Sequence, residues 1–326
     1  LYPWQREQWR RIVAARVAGR LPHALLLHGP EGIGKADFAR HLGDALVCPR
    51  PRDDGAPCRR CAACRLSEAG NHPDLYRIMP GEPGKMIKID AVRELIARSV
   101  LSAQEGGYRV FVLEPAEAMN RAAANALLKT LEEPAARSVM ILVSSHPDRL
   151  PATIRSRCHA VKFTIPAGSS VRAWLGSRLE DAELDALLKI SGGAPLRALQ
   201  AQQEGWIEEG RRLSGELQSL MRRQTNPLQV VEEWERRPLT LVLGGLKRYL
   251  TDLIRLASGL PQAVIHDPEL RADLKSQCDA VDLRSLHLLY GELLQLDRDA
   301  SRNLNTQMTL EHIAHQWLLL TRPGVH

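Results

Sequence analysis

Residues 1–165 alternate between two hydrophobic patterns. Five short runs, 24–28, 74–78, 109–114, 138–145 and 159–164, read as strands bounded by turn-forming residues. Three of them, 24–28, 109–114 and 138–145, are continuously apolar, which predicts parallel strands covered on both faces. The run at 159–164 is expected at a sheet edge. Between the runs, 4–19, 35–47, 90–103 and 120–133 carry apolar residues at helical spacing. In the third of these, Val92, Leu95, Ile96 and Val100 form the stripe and Asp90 is expected to cap it. Pro134 ends the fourth. Strands alternating with helices predict a parallel sheet with helices on both faces.

After the linker-like stretch 166–170 (Pro-Ala-Gly-Ser-Ser) the strand pattern stops and short amphipathic helices follow. From about 208 onward one helix succeeds another, with breaks at Asn226-Pro227, Pro238, Gly259-Leu260-Pro261 and Asp267-Pro268. The segment 239–256 is apolar around most of its circumference and is expected to be buried on several sides, whereas 283–296 and 308–320 are amphipathic. The expected organisation is an α/β domain over 1–165, a small helical domain over 166–206 and an all-α domain over 207–326.

The chain has 326 residues, 44% of them hydrophobic and 25% charged, the balance of an ordinary globular protein. Aromatic residues make up only 4%, and a net charge of +6 permits a nucleic-acid partner without establishing one. No run of about 18 apolar residues is present to cross a membrane. The opening residues lack the basic-then-apolar layout of a signal peptide, so the expected compartment is the cytoplasm. Paired disulfides are uncommon there, and the six cysteines need another explanation.

The first apolar run feeds Gly29-Pro30-Glu31-Gly32-Ile33-Gly34-Lys35, a G-x-x-x-x-G-K loop that opens a helix. Such a loop turns backbone N–H groups toward a phosphate chain, and its lysine neutralises the outer phosphates. Gly29, Gly32, Gly34 and Lys35 are the candidate phosphate-binding residues. The hydroxyl that normally follows the lysine and holds Mg²⁺ is absent, because the residue is Ala36. At the end of the second continuous run, where such ATPases place an acidic metal ligand and a water-activating glutamate, the chain has Glu114 and Pro115. Hydrolysis is therefore expected to be disabled at two independent points. Two readings of the loop stay open: ATP or ADP held without turnover, or an empty loop retained for its fold.

Cys48, Cys58, Cys61 and Cys64 follow in the pattern C-x9-C-x2-C-x2-C. Two overlapping C-x2-C steps and a fourth thiol suit tetrahedral Zn²⁺, and a closed all-thiolate shell leaves no position for a reactive water. A structural zinc module inserted at 48–64 is expected, with a redox or incidental cluster as the alternative. Arg59, Arg60 and Arg65 are placed to offset the charge of about −2 that four thiolates leave on Zn²⁺. His72 reads as a loop residue, and Cys278 is isolated.

At NALLKTLEEP (125–134) and LPATIRSRC (150–158) the chain becomes specifically similar to bacterial clamp-loader subunits of the AAA+ class. The similarity is strong over about 2–200. Among those subunits, Ala36, Pro115 and the opening Tyr2-Pro3-Trp4 resemble the one whose ATPase site is broken. The resemblance implies an AAA+ fold, a helical lid over 166–206 and a helical collar over 207–326 that joins five subunits. It also implies a place in the DNA polymerase III holoenzyme, beside ATP-hydrolysing and delta-type subunits, acting on a sliding clamp and primed DNA. In that family the arginine of Ser156-Arg157-Cys158 reaches the ATP of the neighbouring subunit, so Arg157 is implied as an arginine finger in trans. Arg197 lies where the family places a second nucleotide-sensing arginine, but in an altered Gly192-Gly193-Ala194-Pro195 context that favours a surface role. No ATPase activity is expected of the isolated chain. The rival readings are an ATP-hydrolysing motor subunit of the same assembly and a stand-alone zinc-stabilised DNA-binding protein. The second is disfavoured because lysines and arginines are scattered along the chain.

Overall fold

The computed structural model describes residues 1–326 except 83–84, 102, 104–106, 167–168, 260–264, 267–269, 279–280, 300–304 and 321–326. The predicted breaks at Leu260-Pro261 and Asp267-Pro268, Ser102 of the third predicted helix, and Ala167 and Gly168 of the linker lie outside the described residues. The chain divides into two compact units, Leu1–Trp174 and Leu175–His326.

In the first unit, a short 3₁₀ turn, Pro3–Gln5, leads into α1 (Arg6–Val17). There follow β1 (Ala24–His28), α2 (Lys35–Val47), α3 (Ala62–Glu68), β2 (Leu75–Ile78), α4 (Ile89–Ser99) and β3 (Arg109–Leu113). Next come α5 (Arg121–Glu132), β4 (Ser138–Ser144), α6 (Ala152–Arg155), β5 (His159–Lys162) and α7 (Ser169–Gly176), within which the first unit ends. The five strands form one parallel sheet in the order β2-β3-β4-β1-β5. Every residue of β3 and β4 is buried, as helices on both faces require, whereas β5 at the edge is largely exposed. Phe111, Leu113, Leu127, Leu131, Leu142 and Ile154 belong to the core on one face.

At the N-terminal ends of the strands, Arg109 donates Nε and Nη2 to Asp74 Oδ1 at 3.1 and 2.9 Å, both side chains being buried. Arg109 Nη1 also donates to the Arg98 carbonyl at 2.7 Å. A buried pair is tolerated only with its other hydrogen bonds made, and these bonds meet that condition. Asp90 does not cap α4. Lys88 occupies the cap position in extended conformation, and Asp90 sits in the first turn, where its charge complements the helix dipole.

The second unit is all-helical among the described residues: α8 (Asp181–Ile190), α9 (Pro195–Gln203), α10 (Trp206–Met221), α11 (Pro227–Glu235), α12 (Leu239–Ala257), α13 (Arg271–Cys278), α14 (Leu283–Asp299) and α15 (Thr306–Leu320). α12 packs against α10, α13 and α14, which is why apolar residues occupy most of its surface. A Cβ at Gly245 would lie 2.2 Å from Leu213 Cδ1, so α10 and α12 approach closely at that glycine. Trp234 and Trp317 fill the core with their indole N–H groups satisfied by Glu216 Oε2 (2.7 Å) and the Leu217 carbonyl (3.0 Å). Among the described residues no helix is long and apolar enough to cross a membrane.

Candidate functional site

The phosphate loop leaves the C-terminal end of β1 and turns into α2. Gly29 has φ +149°, and a Cβ there would meet the Phe163 carbonyl oxygen at 2.0 Å. Gly34, φ +81°, is the N-cap of α2, and no side chain caps this end. Uncapped N–H groups at a helix N-terminus are suited to hold phosphate oxygens. Lys35 is buried, with Nζ donating to the Pro30 carbonyl at 2.6 Å and to Ser145 Oγ at 3.0 Å. Burial pulls its pKa down, opposed by the charges of Glu117, Glu31 and Glu114.

The N-terminal segment closes one side of this loop. The buried Gln5 donates Nε2 to the Ile33 and Gly34 carbonyls at 3.0 and 2.8 Å, and Trp4 Nε1 shares the Ile33 carbonyl at 3.0 Å. Tyr2 donates its hydroxyl to Asp37 Oδ2 at 2.8 Å, and its ring stacks on Trp4 at 5.0 Å. Trp174 meets both rings edge-on.

Ala36 offers no hydroxyl, and Pro115 offers no carboxylate. Glu114 is half-buried, and burial raises its pKa. Glu117, which the sequence pattern does not single out, accepts from the backbone N–H of Ser145 (2.9 Å) and His146 (3.1 Å). Its Oε1 is spent on holding the loop after β4, where Ser145 meets Lys35. Its spacing two residues beyond Pro115 is the only signal the sequence carries.

At the other end of α2, Cys48 is the C-cap residue. The four sulfurs of Cys48, Cys58, Cys61 and Cys64 all lie within 4.8 Å of one another, with Cys48–Cys61 at 4.0 Å and Cys58–Cys64 at 3.9 Å. A tetrahedron of sulfurs about 2.3 Å from a metal has edges of about 3.8 Å, so this cluster could hold a metal ion. Cys61 also caps α3, its sulfur accepting from the Cys64 N–H at 3.3 Å. Backbone N–H groups of Arg60 and Cys61 draw the Cys58 thiol down to about 6, whereas burial pushes Cys48 and Cys64 up. Nearby positive charge would favour all four thiolates.

Arg59, expected to offset thiolate charge, instead donates Nη1 to Asp44 Oδ2 (3.1 Å) and Glu68 Oε1 (3.3 Å). Asp44 is buried and also accepts from Ser67 Oγ (2.5 Å) and Arg77 Nη2 (3.0 Å). One carboxylate thus ties α2 to the cysteine module, to α3 and to β2. An Asp late in an amphipathic helix gives no sequence clue to three partners brought from 15 to 33 residues away.

Arg157 follows α6, at the N-terminal side of β5. It donates Nε to Glu132 Oε1 at 2.8 Å, with Nη2 on the same oxygen, and Nη1 to the Thr153 carbonyl at 3.0 Å. Arg155 is exposed. Burial pushes the Cys158 thiol up to about 12, which leaves it unreactive. In the second unit Arg197 lies over the Trp206 ring at 5.4 Å, a stacking role on a helix and not a free guanidinium.

A family model described as DNA polymerase III, delta subunit, matches residues 4–166, which include the phosphate loop, the four cysteines and Arg157. The DNA polymerase III subunit delta' of Pseudomonas aeruginosa is 36% identical over 331 residues, 99% of each chain. The chain belongs to the DNA polymerase III subunit delta' family. The Escherichia coli delta' subunit is 38% identical over 201 residues, 61% of this chain and 60% of that one. A gamma/tau subunit of DNA polymerase III from Mycobacterium tuberculosis is 33% identical over 185 residues, 55% of this chain and 32% of that one. Members of this family and of the gamma/tau family are thus both similar to the chain.

Proposed function

We propose that this delta'-family chain works in a DNA polymerase III clamp loader as a subunit that does not hydrolyse ATP and that supplies Arg157 to the ATP site of a neighbouring subunit. The observation that carries this reading is the position of Arg157 relative to the chain's own loop. β1 and β5 run parallel with Leu25 opposite His159, so Gly29 lies roughly 13 Å further along the strands, four residues at about 3.3 Å each. Arg157 precedes His159 and lies on the far side of that distance. An arginine at the opposite end of the sheet does not serve its own phosphate loop, but it is exposed enough to serve another chain's.

An arginine placed against a transferring phosphoryl group stabilises the negative charge that develops there. Ala36 and Pro115 remove the metal-holding hydroxyl and the water-activating carboxylate, and Glu117 is anchored at Oε1 by the backbone N–H groups of Ser145 and His146. Gly29, Gly32, Gly34 and Lys35 remain able to grip phosphate without turning it over. The partners on this reading are ATP-hydrolysing and delta-type subunits in a five-membered ring, the sliding clamp and primed DNA. Cys48, Cys58, Cys61 and Cys64 would hold a structural Zn²⁺, which supplies folding free energy and no reactive water.

Arg157→Ala in the reconstituted complex is the direct test. The DNA-stimulated ATPase of the neighbouring site is expected to fall by roughly 10³-fold or more. A normal rate removes the finger. ATP turnover by the purified wild-type chain alone would instead establish the motor-subunit reading.

A further inference from the structure

The hydrogen bonds around Arg157 describe a guanidinium that is already aimed before any partner arrives. An arginine carries five N–H donors. Glu132 takes the Nε donor at 2.8 Å and one from Nη2, and the Thr153 carbonyl takes one from Nη1 at 3.0 Å. Nη1 also reaches Ser156 Oγ at 3.5 Å, so one Nη2 donor is left open and the second Nη1 donor is held only weakly, and the two together can meet a phosphate at two points. Both sides of the grip are fixed by the core. Glu132 is the last residue of α5 and follows Leu131, which is 2% exposed, while Thr153 and Arg157 flank Ile154, which is fully buried. α5 and α6 pack directly on each other.

We infer that Glu132 is a positioning residue, which holds the Arg157 guanidinium in the orientation it presents to a neighbouring subunit's nucleotide. The inference rests on the reading of Arg157 as a finger in trans and adds the group that aims it. Glu132 touches no nucleotide on this account and acts only through Arg157. The pair is partly exposed, at 35% and 49% of the side-chain surfaces, so it adds little to folding and its loss leaves the fold intact. An unaimed arginine still carries its charge but spends rotamer freedom when it engages. Misplacement of a reacting group by about 1 Å costs on the order of 10²-fold.

The test is a double-mutant cycle in the reconstituted clamp loader, with the complex's other ATP sites silenced. Glu132→Ala should lower kcat at the neighbouring site by roughly 10- to 100-fold with KM for ATP unchanged and Tm unchanged. Glu132→Gln, which keeps one acceptor, should recover part of that loss. The Glu132→Ala/Arg157→Ala pair should be no slower than Arg157→Ala alone, because a residue that acts only through Arg157 has nothing left to position. If Arg157→Ala is impaired while Glu132→Ala runs at the wild-type rate, the positioning role is wrong and the finger stands. If the two losses multiply, Glu132 acts independently and the inference also falls. If Arg157→Ala is itself normal, the underlying finger reading fails first.

Discussion

Helix α2 carries a candidate ligand loop at each end, and the two loops differ in what they retain. At its N-terminus the phosphate loop keeps its three glycines and Lys35 but lacks the hydroxyl at Ala36 and the carboxylate at Pro115. At its C-terminus all four cysteines are present and their sulfurs already stand at the spacing of a tetrahedral shell. The groups missing from the first loop are those that touch a metal or water during turnover. The groups present in both are those that fix backbone. Each loop is also braced by elements from elsewhere in the chain: Gln5, Trp4 and Tyr2 at one end, and the Asp44 network with Arg59, Ser67 and Arg77 at the other. On the proposed reading, a phosphate loop without turnover still serves as a corner on which the fold is built.

Removing metal from the cysteine end should produce the largest effect. Metal analysis is expected to find one Zn²⁺ per chain, and Cys61→Ser or a strong chelator should cost several kcal/mol and lower Tm sharply. A metal-free chain that melts at the wild-type temperature would erase the contrast between the two ends. At the loop end, Gly34→Ala is expected to cost about 1–3 kcal/mol, because an alanine is strained in left-handed backbone. Its Cβ would also sit 2.4 Å from the Tyr2 ring. A Tm equal to that of the wild type would show that the N-terminal segment does not brace the loop.

The smallest expected effect is a pH dependence from His41, between the two ends. Burial lowers its pKa from 6.5 to about 4, with the charge of Arg59 acting in the same direction. The unfolded chain therefore takes up this proton more readily than the folded one, and stability is lost as pH falls from about 6.5 towards 4. His41→Asn should show a shallower fall in Tm over that window. An identical fall in both proteins would assign the acid sensitivity to other groups.

Much of the sheet could be read from the sequence because its strands are buried on both faces, so 109–113 and 138–144 had no polar alternation to confuse with helix. The cysteine cluster was legible for a similar reason: metal geometry constrains spacing locally. Asp90 was misplaced as a cap because a two-residue shift at a helix start is set by the backbone at Lys88, which no residue type announces. Asp44, Glu117 and Glu132 were not legible, since each carboxylate draws its role from partners 15 to 33 residues away.

The chain's order of apolar runs, its G-x-x-x-x-G-K loop and its four thiols were thus enough to specify a parallel-sheet domain with an insert whose four cysteines come together. Ala36 and Pro115 were likewise enough to predict a site without turnover, because a missing hydroxyl or carboxylate is visible residue by residue. Tertiary structure alone decided which end of the sheet Arg157 occupies and which carboxylate holds it. Those are facts of strand direction and helix packing, and residues 25 positions apart meet only when a folded core brings them together.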